Sequence, residues 1–213
     1  MKCDCCNNEN NELHDEKKPP DFLYKYYPPC TIQPITELTL KLTPPDEFND
    51  PFEFKPSTVN LNRAQQKIFD RFPREFCICC FSSVPDNILM WSHYAKAHTG
   101  YVVKYAIPEA IGNTTLLPAD YSPERLSLPS APQRDVLFDA FFKVTVRKHC
   151  GWKYESEWRA FFHRLNCKDE FCKGKRIYTR PVPPHAVKEV IFGVKSQNDK
   201  NKRAILDKLR STP

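Results

Sequence analysis

The sequence predicts a single α+β domain with a mixed β-sheet and flanking helices, a split in that sheet being one option. Three observations carry this. Strand-like and helix-like segments follow one another without a regular βαβ repeat. The run "EFCICCFSS", residues 75–83, is continuously apolar and has the length of a buried central strand. Hydrophobic residues make up 40% and aromatics 13% of the 213 residues, enough to bury a core.

Residues 1 to about 20 are polar, end in "EKKPP" and read as a disordered tail, with one globular domain over 21–213. "FLYKYYPPC" reads as a short strand stopped by two prolines. Leu38, Leu40 and Leu42 alternate as in a strand, and "DEFNDPFE" follows as a loop with Asn49 and Asp50 supplying turn chemistry. Leu61, Ala64, Ile68 and Phe72 keep helical spacing, with Asn60 or Asn62 as cap. After the apolar strand, Asp86 or Asn87 caps a helix expected over Ile88–Ala97. "YVVKYA" is the next strand, closed by Pro108, and a loop rich in Pro, Ser and Thr follows with a short strand near Leu116.

"QRDVLFDAFFKVTVRKHC" is expected to be helical, burying Val136, Phe138, Phe141, Phe142 and Val146. "WKYESEWRAFF", Trp152 to Phe162, reads as a strand, because charged and bulky positions alternate from Tyr154 to Ala160. A hairpin or loop through "NCKDEFCKGKRIYT", a strand in "AVKEVIFGV" and a terminal helix in "SQNDKNKRAILDKLRS" complete the chain.

Composition narrows the chemistry. The formal charge of +6 is milder than a dedicated nucleic-acid binder shows, yet favours an anionic small molecule or nucleotide through long-range attraction. Five glycines against 20 prolines, with neither GxxxxGK[ST] nor GxGxxG present, argue against P-loop and Rossmann enzymes. No apolar run opens the chain and none reaches the ~20 residues that span a membrane, so a cytoplasmic protein with free thiols is expected despite 10 cysteines. Zinc sites usually use C-x₂₋₄-C knuckles on turns; neither "CDCC" nor "CICC" has that form cleanly, and no metal is expected.

On one strand face, Glu155, Glu157 and Arg159 would form a catalytic set. One carboxylate can stabilise the positive charge that develops when a glycosidic bond breaks, and a second can position the attacking group. The competing account is a structural Glu–Arg network. Tyr94 could stack on a ligand ring and Ser92 and His93 face a cleft, against a core helix with surface histidines. Tyr26, Asp50 and Ser82 complete the ligand-binding set, with Glu53 left open. Lys143, Arg147 and Lys148, like the basic C-terminal helix, read as solvated charge, the rival reading being nucleic-acid contact.

In order, "FNDPFE", "CFS…NILMWSHYAKAHTGYVVKY", "W-x-YESEWR" and "VKEVIFG" resemble a widespread bacterial family catalogued as a domain of unknown function, from Phe22 to the C-terminus. A fainter resemblance is to ADP-ribosyltransferases. It implies an α+β fold that binds NAD in a cleft of a split sheet. It places Lys25 or Tyr26 on an early strand, Ser82 on a central one, and Glu155 and Glu157 as a late Glu-x-Glu; the early position holds no histidine or arginine. The expected function is therefore an enzyme acting on a nucleotide-type ligand, an NAD-using transferase or glycohydrolase. The alternative is a non-catalytic nucleotide or nucleic-acid binding module in a defence or toxin system.

Overall fold

Two strands organise the molecule in the computed structural model, which describes residues 18–48, 50, 52–54, 63–127, 134–172, 175–197 and 200–211. The strands, in chain order, are β1 (Phe22–Tyr27), β2 (Thr39–Leu42), β3 (Phe76–Ser82), β4 (Tyr101–Ala106), β5 (Leu116–Pro118), β6 (Asp120–Ser122), β7 (Arg147–His149), β8 (Glu157–His163), β9 (Lys168–Cys172), β10 (Lys175–Pro181) and β11 (Val187–Phe192). The helices are α1 (Gln33–Thr36), α2 (Arg63–Glu75), α3 (Ile88–His93), α4 (Ile107–Ile111), α5 (Arg134–Val146) and α6 (Lys200–Ser211). The expected α+β class is what the chain forms. The polar tail, apart from residues 18–20, and the cap at Asn60 or Asn62 lie outside the described residues.

The main sheet runs β11-β4-β1-β3-β8-β5, antiparallel at every pairing. Its longest ladder is β3–β8, paired without interruption from Phe76 opposite His163 to Ser82 opposite Glu157. Side chains alternate between faces along a strand. Cys77, Cys79 and Phe81 therefore join Trp158, Ala160 and Phe162 in the principal core, with Leu23, Tyr27, Val103 and Tyr105. Burying each large apolar side chain there stabilises the fold by ~1.5–3 kcal/mol. The opposite face carries Cys80 and Ser82 of β3 with Glu157 and Arg159 of β8. A second sheet runs β2-β10-β9, and β6 pairs with β7 in parallel, so the molecule holds both pairing senses.

The sheet splits where β1 leaves β3. Only Tyr24 and Ser82 are paired across that boundary. Further along β3, Ile78 exchanges both backbone hydrogen bonds with Thr43 instead. Between these points the Cys80 carbonyl accepts a hydrogen bond from the Lys25 ammonium at 2.8 Å.

Three segments differ from expectation. The helix expected over Ile88–Ala97 ends at His93; Lys96, Ala97 and His98 all take positive φ, turning the chain into β4. Its start is as expected, since Asn87 Oδ1 accepts from the amides of Leu89 and Met90. Gly100 closes the turn, because a Cβ there would lie 2.1 Å from the Tyr27 carbonyl oxygen. The expected α5 ends at Val146, and Arg147–His149 form a strand. Of its expected buried residues Phe141 and Val146 are buried, Phe142 half-buried against Phe161, and the side chains of Val136 and Phe138 lie outside the described set. Finally, Cys150–Glu155 is a 3-10 turn, so β8 begins only at Glu157. No helix among the described residues is long and apolar enough to cross a membrane.

Candidate active site

Ser156 determines how the acidic residues meet. It sits in the left-handed region, φ 45° and ψ 51°, between the 3-10 turn and β8. The expectation that Glu155 shares a strand face with Glu157 is therefore corrected: Glu155 closes a helical turn, and the backbone reversal brings it beside Glu157. β3 holds the joint in place. The Ser82 hydroxyl donates to the Glu155 carbonyl at 2.6 Å, and the Ser83 amide donates to the Ser156 carbonyl at 3.0 Å.

A cluster of five charged side chains results. Arg159 has no exposed surface. Its Nε donates to Glu157 Oε1 at 3.0 Å and its Nη2 to Glu157 Oε2 at 3.1 Å, a two-point clamp. Arg159 also bonds Glu53, from the loop before α2, and the Thr145 carbonyl near the end of α5. Lys148 of β7 places its ammonium 2.6 Å from Glu157 Oε2 and 3.8 Å from Glu53 Oε1, and in direct contact with Glu155. Tyr94 donates to Glu155 Oε1 at 2.5 Å, and the Tyr121 hydroxyl accepts from the Glu157 amide at 2.8 Å.

Burial raises the cost of every charge here, so pairing decides which survive. For Glu157 burial pushes the pKa up, but Arg159 and Lys148 outweigh it and bring it down to about 2. For Glu53 burial wins over Arg159 and Lys148, and its pKa is raised. Lys148 and Arg159 are disfavoured as cations by burial, yet Glu157 foremost among the acids holds both charged well beyond neutral pH. Burial, then the neighbouring Glu155, pushes the Tyr94 phenol up. Three carboxylates against two cations leave this cluster with a surplus of negative charge when all are ionised.

The cluster closes one end of a cavity of about 310 Å³ that lies over the split between β1 and β3. Glu155, Glu157, Tyr26, Asp50, Ser82 and Tyr94 all line it. Arg159 stands behind the wall. Tyr26 also donates to the Val84 carbonyl at 2.9 Å, and burial pushes its phenol up to about 12. Ser92 and His93 are not among the lining residues, contrary to the expectation that they face the cleft. Both are exposed: the α3 cap directs Met90 and Trp91 inward, which leaves the following two positions outward. Ser92 meets His98 at 3.4 Å, and the His93 ring lies 6.4 Å from those of Tyr94 and Trp152. Trp91 donates to the Pro85 carbonyl at 2.9 Å and packs in a satellite core.

Sequence reasoning missed Lys148 as a site residue, found no role for Tyr121, and took Cys80 with Cys77 and Cys79 for a structural thiol of a buried strand. Lys148 is the middle residue of a three-residue strand whose neighbours Arg147 and His149 point away from it; a run that short carries no periodicity. Cys77 and Cys79 are fully buried in the core, whereas Cys80, on the other face, lines the cavity beside Glu157. Among the described residues no group of three or more His, Cys, Asp or Glu side chains is arranged to hold a metal ion. No family model, curated protein or solved structure matches the chain.

Proposed function

We propose that this chain is an enzyme that breaks the N-glycosidic bond of a nucleotide-type ligand, with NAD as the candidate substrate and water or an acceptor hydroxyl as the nucleophile. The observation that supports it is the placement of Glu155 and Glu157, bridged by one ammonium, at the end of an aromatic-walled cavity the size of a small-molecule site. As the bond from ribose to the pyridinium nitrogen breaks, its electron pair leaves with nicotinamide and positive charge develops on the sugar. Glu157, held ionised and lining the cavity, stabilises that cation. Glu155 accepts the proton of the attacking hydroxyl. Tyr94 and Lys148 orient its two oxygens. Lys25 stands on the early strand where the resemblance to ADP-ribosyltransferases asks for a polar group.

A second reading, a binding module without turnover, is favoured by one observation: each of the five clustered charges already has a partner within the chain. Release of nicotinamide from NAD, followed by chromatography, separates the two. Wild type is expected to release it, and Glu155→Gln to retain binding while losing about 10²–10⁴ of the rate. Binding of NAD by wild type without release would establish the module instead.

A further inference from the structure

We infer that the cavity selects a positively charged ring and keeps phosphate out, so that a nucleotide enters it base-first with its phosphates outside. Among the described residues Glu47, Asp50, Glu53, Glu155 and Glu157 line it, against Lys25 and Lys148. Both ammoniums already have an acceptor within the chain, but only Lys148 is paired with carboxylates. Lys25 donates to the Cys80 carbonyl, and Lys148 to Glu155 and Glu157. Asp50 uses Oδ1 to cap the Phe52 amide at 2.8 Å, while its Oδ2 is buried and has no hydrogen-bond partner among the described residues. A buried carboxylate oxygen with unspent lone pairs asks for a donor or a cation. Most of the remaining wall is aromatic, Tyr24, Tyr26, Phe48, Phe81, Tyr94 and Trp152, with Thr43, Cys80, Ser82 and Met90 between. Carboxylates combined with aromatic rings favour a flat cation, because a ring face is negative; the chain's own Lys25, Lys148 and Arg159 already lie over Phe81, Trp152 and Phe48. A phosphate at the same place would meet five carboxylates against two ammoniums, one of which is already held between Glu155 and Glu157. The chain's positive net charge acts on a nucleotide from outside and does not extend to this cavity.

That the cation is a pyridinium N-riboside rests on the glycosidic reading above; the charge preference rests on the cavity alone. The test is calorimetric titration of the wild-type chain with four probes: 1-methylnicotinamide, a cation with no sugar to cleave; nicotinamide, its neutral counterpart; nicotinate, its anion; and inorganic phosphate. The cation is expected to bind about tenfold or more tighter than nicotinamide, and nicotinate and phosphate not to displace it. Asp50→Asn is expected to shrink the preference for 1-methylnicotinamide about threefold or more while leaving nicotinamide affinity unchanged. If Asp50→Asn fails to fold, Glu47→Gln at the exposed rim is expected to shift the preference the same way. Equal affinity for cation and neutral ring, competition by phosphate, binding of none of the probes, or variants indistinguishable from wild type would each overturn the inference. A charge preference without nicotinamide release from NAD would leave it standing and remove the glycosidic reading. Release without the preference would do the reverse.

Discussion

Replacing Arg159 by Met tests whether the buried cluster holds the fold as well as lining the cavity. The guanidinium makes two bonds to Glu157, one to Glu53 and one to the Thr145 carbonyl, with no surface exposed to water. Methionine fills similar volume but leaves two carboxylates facing a lost cation. At these distances each charge pair is worth about 5–6 kcal/mol at an effective dielectric constant near 20. Much of that is offset because the guanidinium no longer has to be stripped of water. Glu53 softens the loss further: burial has already raised its pKa, so it takes up a proton readily. Glu157 keeps Lys148 at 2.6 Å. Breaking a buried pair in this way costs about 3–5 kcal/mol. For a chain of this size that is a fall in Tm of roughly 6–20 °C. Scanning calorimetry with urea unfolding at neutral pH measures both. The triple variant Arg159→Met, Glu53→Gln, Glu157→Gln, which removes the stranded charges as well, is expected to recover most of the loss. An Arg159→Met Tm within about 2 °C of wild type would show that the guanidinium contributes no net stability.

Acid should unfold the protein through Glu157. A carboxyl whose pKa falls from 4.5 to about 2 on folding contributes stability that is full above the unfolded value and lost as pH falls toward the folded one, here about 3 kcal/mol. Glu53, shifted upward, has the opposite sign and returns part of it. Urea midpoints should therefore drop between about pH 5 and pH 2, and a flat profile would contradict the assigned shift. Trp158→Ala, which empties a core position packed over the β3–β8 ladder, should cost about 3–5 kcal/mol by urea unfolding, and a loss below about 1 kcal/mol would mean the site collapses. Ser156→Val forces a β-branched residue into the left-handed region and should cost about 1–2 kcal/mol, while Ser156→Gly should be neutral or slightly stabilising; equal melting of the two variants would remove the backbone argument.

What the sequence disclosed depended on the range of the signal. β3 and β8 were legible because alternation and continuous apolarity are local and long enough to count. Alternation overran its element at Glu155, since a period of two through Tyr154 and Ser156 gives no sign that Ser156 adopts a left-handed backbone. Ser92 and His93 were misplaced because a helix expected to run to Ala97 has a different set of inward positions from one that stops at His93. Glu53 and Arg159 lie 106 residues apart, and no pattern along a single chain reports such a contact. On an open cleft face Glu157→Gln would be mild for folding. With Glu157 buried and clamped by two cations, the same change breaks a paired charge.

The order of the strands also matters before the chain is finished. β3 is made early, but its partner β8 follows only after β4, β5, β6 and β7. Until then "FCICCFS" is an apolar edge with unanswered backbone groups, a template for pairing with another copy. The nascent molecule is thus most exposed to self-association while the strand that will be its centre waits for cover. A chain stopped at His149 is expected to accumulate in the insoluble fraction; a soluble monomer of that length would show that β3 finds another neighbour.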